Sequence, residues 1–184
     1  MTTFDIHTKH TAAPEAARLL EGAERTYGFV PNLLGKFAES PAALKGYMTL
    51  AGIFDDTSFT ATEQQVILLT ASRFGECHYC VAAHSTVAGM QGVPSDVIDA
   101  IREDRPIANA RLETLRDFTT AVVEKRGWVS EIDVDQFVAA GYTREQVLEV
   151  VLGVGLKTIS NYVNHIVDTP IDDAFAPREW RPAV

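Results

Sequence analysis

The spacing of apolar residues restricts this chain more than any other feature. Wherever a pattern exists it repeats every three to four positions, and no segment alternates apolar and polar residues between hairpin turns. A half-buried strand needs a period of two and an amphipathic helix a period near 3.6, so an all-α fold is predicted. Turn residues divide the chain. Thr11 and Pro14 open a helix that ends near Gly28, Pro31 starts a short one through Phe37, and Ser40-Pro41 supplies an N-cap and an N1 proline for a helix through Phe54. Another begins around Thr60 and Thr62. Its stretch Val66 to Ala71 is apolar on most of its circumference, which predicts a helix in the middle of a bundle. Gly75 reads as the left-handed residue that closes it, and the next helix runs from about Cys77 to Met90.

Val93-Pro94-Ser95 opens a short helix through Ile101, and 108–125 has bundle spacing and stops at Gly127. A shorter stretch, Ile132 to Ala139, precedes Gly141 and the longest helix, Thr143 to about Val167. Within it Gly153 and Gly155 are expected to admit a neighbouring backbone. Residues 168–184, with three prolines and Trp180, read as an extended arm that docks on something. At 184 residues and 46% hydrophobic content, the expectation is one domain over 1–184 that includes this arm. At an offset of 81, Thr62, Gln65, Val66 and His84 coincide with Thr143, Gln146, Val147 and His165, through either duplication or two independent capping boxes.

A net charge of −9 disfavours attraction to phosphate backbones and anionic membrane surfaces, so no nucleic acid or membrane partner is expected. The densest apolar run, Val147 to Leu156, is interrupted by Glu149, followed by Lys157, and falls short of the roughly 20 residues a spanning helix needs. The first residues have neither a basic nor an apolar leader region, and a cytoplasmic location is expected. The only two cysteines are three residues apart and cannot staple distant segments. In a reducing compartment such a pair is redox-active or binds metal.

The segment Cys77-His78-Tyr79-Cys80-Val81-Ala82-Ala83-His84 carries the chemistry. On a helix, positions i, i+3 and i+7 share a face, which aligns both sulfurs with the imidazole. Cys77 falls in the first turn, where the helix dipole favours a thiolate, and His84 is placed to take a proton from Cys80. The bland alternative is two buried cysteines beside an unrelated histidine. A zinc site of Cys77, Cys80, His84 and His165 is a second alternative. A thioredoxin domain fits worse, since it sets its CxxC beside a βαβ unit.

With this motif placed after a buried helix, the chain resembles the AhpD-like alkylhydroperoxidases of the carboxymuconolactone decarboxylase superfamily. The resemblance extends to Phe29-Val30-Pro31-Asn32-Leu33-Leu34, to Glu39-Ser40-Pro41-Ala42-Ala43-Leu44, to the block from Thr60 to His84, and to Asn161-Tyr162 through Asp172 with Trp180, which is similar to the peroxidase-related branch. It implies an AhpD-like helical bundle with the CxxC at the start of a central helix, and a thiol-dependent peroxidase with no bound cofactor or metal. Cys80 would attack the hydroperoxide to give a sulfenic acid, Cys77 would resolve it to a disulfide, and His84 would be the base that activates Cys80. A reducing dithiol partner, thioredoxin-like or lipoyl-bearing, would recycle the disulfide. A homo-oligomer, trimer or hexamer before dimer, is also implied.

Gln65 departs from this pattern. The family commonly has a glutamate there for a proton relay with the histidine, and glutamine cannot ionise. Glutamate at 65 is therefore expected to raise the rate; alternatively Gln65 is only a capping partner of Thr62. Glu63 reads as the N3 partner of Thr60, Glu76 as a helix-start charge, His78 and Tyr79 as cover for the dithiol, and His165 as a core histidine. Two further readings stay open: a lactone decarboxylase, whose members generally lack the dithiol, and a noncatalytic redox-sensing or interaction module that uses the disulfide as a switch.

Overall fold

The computed structural model describes residues 3–182. Met1-Thr2, where the leader was sought, and Ala183-Val184, at the end of the arm, lie outside the described residues. Among the described residues there is no strand, and the helices are α1 (Pro14–Tyr27), α2 (Asn32–Phe37), α3 (Pro41–Asp55), α4 (Ala61–Phe74), α5 (His78–Met90), α6 (Ser95–Arg102), α7 (Ala110–Glu124), α8 (Glu131–Ala139) and α9 (Arg144–Val167). The boundaries follow the turn chemistry. Ser40 accepts from Ala43 N at the start of α3, and Gly28 closes α1 at φ 79°. Capping boxes open α4 at Thr60–Glu63 and α9 at Thr143–Gln146, so Thr62 caps nothing and the two boxes do not share the register of the 81-residue offset.

α4 runs through the middle, packed on α5, α6, α7 and α9, with Val66, Ile67 and Leu69 buried among Phe54, Val81, Leu115 and Val150. A second apolar cluster joins Leu20, Leu33, Phe37 and Leu44 of α1–α3 to Tyr79, Cys77 and Cys80. The dithiol thus sits at the seam between the α1–α3 layer and the α4-centred core.

Two glycine expectations need correction. Gly75 has φ −75°, and the left-handed position falls on Glu76 at φ 51°. Gly75 answers instead to crowding: a Cβ there would lie 2.5 Å from Asn161 Nδ2, which donates to Ala71 O at 3.1 Å. In α9 only Gly153 is a contact residue, and what approaches it is side chain rather than backbone. Its Cβ would meet Phe54 Cε2 at 2.6 Å and Ile67 Cγ2 at 2.8 Å, whereas Gly155 is exposed with nothing within 4 Å.

The arm docks on its own chain. Asn32 N donates to Asp172 Oδ1 at 3.0 Å, Asn32 Nδ2 to Pro170 O at 3.1 Å, and Phe175 packs edge-on to Phe29 and Tyr79. Arg102 of α6 donates to the carbonyls of Arg178 and Glu179, and Trp180 Nε1 returns a bond to Arg102 O at 3.0 Å. Among the described residues no helix is long and apolar enough to cross a membrane.

Candidate active site

Cys77 is the N-cap of α5, in extended conformation, and its sulfur accepts from Cys80 N at 3.3 Å, the role a serine or aspartate oxygen usually fills. Cys80 lies one turn in. Both are 1% exposed. Cys80 Sγ receives Asn164 Nδ2 at 3.2 Å and lies 4.0 Å from Ser160 Oγ, so α9 provides what the sulfur touches. Lys157, Ser160 and Asn164 are spaced i, i+3 and i+7, which lines them along one face of α9. All three are buried, and Ser160 Oγ also donates to Lys157 O at 3.2 Å.

These contacts divide the two thiols. Burial pushes Cys80 up, yet the Cys77 S–H donated to it, the Lys157 ammonium, Asn164 and Ser160 together pull it down to about 6. Cys77 moves the other way: its proton is held in the bond to Cys80, and burial and the Cys80 charge add to the rise. The negative charge therefore belongs on Cys80. This reverses the helix-dipole expectation for Cys77, because an N-cap with one N–H donor is a weaker anion site than a sulfur with two side-chain donors and a cation nearby.

His84 is half-buried, one turn beyond Cys80, with Nδ1 3.2 Å from Gln65 Oε1. Gln65 Nε2 donates to Gln91 Oε1 at 3.0 Å, which makes Gln65 Oε1 the acceptor and His84 Nδ1 the donor. The imidazole thus keeps its Nε2 lone pair. Burial, reinforced by Lys157, holds its pKa well below the usual value, so it is neutral. Gln65 orients His84 and does not cap α4. Among the described residues no hydrogen bond joins His84 to either cysteine.

The other polar residues near the motif are occupied elsewhere. Tyr79 donates to Asp172 Oδ2 at 2.6 Å and accepts from Leu33 N at 3.3 Å, tying α5 to α2 and the arm rather than covering the dithiol. Glu63 is buried as the partner of Thr60, and its free oxygen pairs with Arg111. His78 is half-buried. His165 is exposed, so it is neither a core histidine nor near enough in burial to complete a Cys77, Cys80 and His84 set; among the described residues no group of three or more His, Cys, Asp or Glu is arranged to hold a metal. Lys157, Ser160 and Asn164 are site residues that the Cys77–His84 motif does not contain. Their signal was three polar residues at helical spacing inside a mostly apolar helix.

No family model matches the chain, and no curated protein matches it in sequence. Solved structures do match in fold. An uncharacterized peroxidase-related protein from Ralstonia eutropha JMP134, described as an alkylhydroperoxidase AhpD core, superposes with TM-score 0.85 at 19% identity over 94% of this chain and 93% of that one. A peroxidase-related protein from Silicibacter sp. TM1040 gives 0.79 at 16% identity over 89% and 87%. A cysteine-to-alanine variant of the debrominase Bmp8, in complex with 2,3,4-tribromopyrrole, gives 0.74 at 18% identity over 90% and 89%. At these identities the likeness establishes the fold alone: the chain has the helical fold of the AhpD core.

Proposed function

We propose that this chain is a thiol-dependent peroxidase that reduces hydroperoxides through a Cys77–Cys80 dithiol/disulfide cycle. The observation that carries it is the unequal setting of the two sulfurs, one favoured as thiolate by α9 and the other kept as a thiol beside it. The Cys80 thiolate attacks the distal oxygen of ROOH, an S–O bond forms as the O–O bond breaks, and the alkoxide takes a proton to leave as ROH. His84, half-buried with its Nε2 lone pair uncommitted, is the group able to pass that proton from solvent. Asn164 Oδ1 is buried without a partner and free to accept from the sulfenic S–OH. Cys77 then attacks Cys80 sulfur, its proton leaves with the hydroxide as water, and a disulfide remains. An external dithiol, thioredoxin-like or lipoyl-bearing, returns two electrons and two protons. Stopped-flow oxidation by a panel of hydroperoxides, with thiols counted before and after, tests this: two thiols lost per ROH formed, with repeated turnover once a dithiol is supplied. A single oxidation without recycling would make the protein a sensor.

The likeness to a debrominase favours a second reading. The same dithiol can reduce a brominated pyrrole, two thiols plus Ar–Br giving Ar–H, bromide, a proton and the disulfide. Bromide release from 2,3,4-tribromopyrrole, against hydroperoxide consumption by the same preparation, separates the two. Self-association would use the exposed side of α9, where Leu148, Val151, Tyr162 and Ile166 stand in solvent; native mass spectrometry gives the subunit number.

A further inference from the structure

We propose that Lys157 is a positioning residue for Cys80: its buried ammonium is the counter-ion of the Cys80 thiolate and replaces the ionisable relay that Gln65 cannot provide. The inference deepens the function above and rests on it for its meaning, though not for its measurement.

Lys157 is 1% exposed, one turn of α9 before Ser160, which lies against Cys80 of α5. Burying an ammonium without an anion costs several kcal/mol, and such groups are found paired. Among the described residues no carboxylate lies within 4.0 Å of Lys157, and every ion pair among them involves other residues, most of them near the surface. The group able to become its anion is the sulfur that Ser160 and Asn164, on the same face of α9, already approach. Lys157 shares its face of α9 with these two residues, and its charge lowers Cys77, Cys80 and His84 alike. A nearby cation favours a thiolate and disfavours an imidazolium. His84 is thereby kept neutral by the same charge that ionises Cys80, and no carboxylate behind it is required.

The remaining titratable groups facing the pair do not supply the anion. Tyr47 of α3 stays a phenol, pushed up by burial and by Cys80, beside the Ser160 hydroxyl. Cys77 of α5 keeps its proton. Tyr79 is held protonated by burial and by its bond to Asp172, the arm carboxylate that Tyr79 and Asn32 N occupy. α4 presents the uncharged Gln65 to His84.

The test is a thiolate titration of the full chain by absorbance at 240 nm, with folding followed by circular dichroism. In the native chain the first thiol should titrate near pH 6. Lys157→Met should move that midpoint up by roughly one unit or more, a loss of thiolate of about fivefold at pH 6 and about tenfold well below it, while Lys157→Arg should restore most of it. A folded Lys157→Met with an unmoved midpoint overturns the inference. A readout on the unmutated protein covers the case in which the variants fail to fold: closing the disulfide removes the anion, so the Lys157 ¹⁵Nζ resonance must shift between reduced and oxidised protein, and an unchanged resonance also overturns it. None of these titrations needs turnover. An inert protein with a Lys157-dependent midpoint would contradict the peroxidase reading alone.

Discussion

α5 and α9 contribute to the same site in different ways. α5 carries the atoms that react, Cys77 at its N-cap, Cys80 in its first turn and His84 a turn later, yet little on α5 itself distinguishes the sulfurs in favour of Cys80. α9 carries no nucleophile. Its Lys157, Ser160 and Asn164 decide which sulfur is the anion, by a charge, one amide hydrogen bond from Asn164 and the Ser160 hydroxyl alongside. The contrast separates having a nucleophile from having an active one: the first is a property of local sequence, the second of what packs against it.

If that division is right, substitutions on the two helices differ in kind as well as size. Cys80→Ser removes the attacking atom and is expected to lower the hydroperoxide rate by about 10³-fold or more, measured by stopped flow. Gly153→Ala sharpens the structural side of α9. Its methyl would press into Phe54 and Ile67, and the α3–α4–α9 contact should lose roughly 1–3 kcal/mol in urea unfolding. Gly155→Ala, two residues on and open to solvent, should instead gain about 0.5–1 kcal/mol from helix propensity. Equal effects at the two positions would mean that α9 does not seat on α3 and α4 as described.

Asn164→Leu keeps the branching and heavy-atom count of the side chain and deletes one donor to Cys80. The thiol midpoint should rise by about half to one unit and the rate near pH 6 fall roughly threefold to tenfold, with the rate recovering at high pH because Cys80 itself is intact. A loss that is the same at every pH would show that Asn164 acts on packing and not on charge. The smallest effect is on stability against pH. Cys80 in the folded, reduced chain titrates near 6, below its unfolded value of ~8.5. Its thiolate therefore contributes stability that is complete above about pH 8.5 and lost as pH falls through about 6. His84, depressed by burial, adds to the same trend only below its unfolded value near 6.5. Between pH 6.5 and 8.5 the Tm of reduced protein should rise by a few degrees, and Cys80→Ser should flatten that slope.

The same division explains how much could be read from the sequence. Helix boundaries were legible because Ser40, Thr60, Thr143 and Gly28 act within a few residues of themselves. The motif Cys77, Cys80 and His84 was legible for the same reason, and the Gln65–His84 contact came from the family resemblance. What failed was long-range. Gly75 is glycine because of Asn161, 86 positions away in sequence, and no local rule for helix ends contains that information. His165 and Asn164 are adjacent on α9, and only the packing angle decides that Asn164 meets Cys80 while His165 meets solvent. Lys157 looked like the charge that ends an apolar run. Its burial depends on how α9 packs into the bundle, which single-helix periodicity cannot place.

Trapping the first oxidised species tests the central claim most directly. The Cys77→Ser and Cys80→Ser chains are treated with one equivalent of hydroperoxide in the presence of dimedone, and the adducts are located by peptide mass spectrometry. The account predicts a rapid adduct on Cys80 in the Cys77→Ser chain, slow or no adduct on Cys77 in the reverse variant, and in the native chain no adduct but a Cys77–Cys80 disulfide with the loss of two hydrogens. Equal labelling of the two cysteines, or an unoxidised native chain, would contradict it.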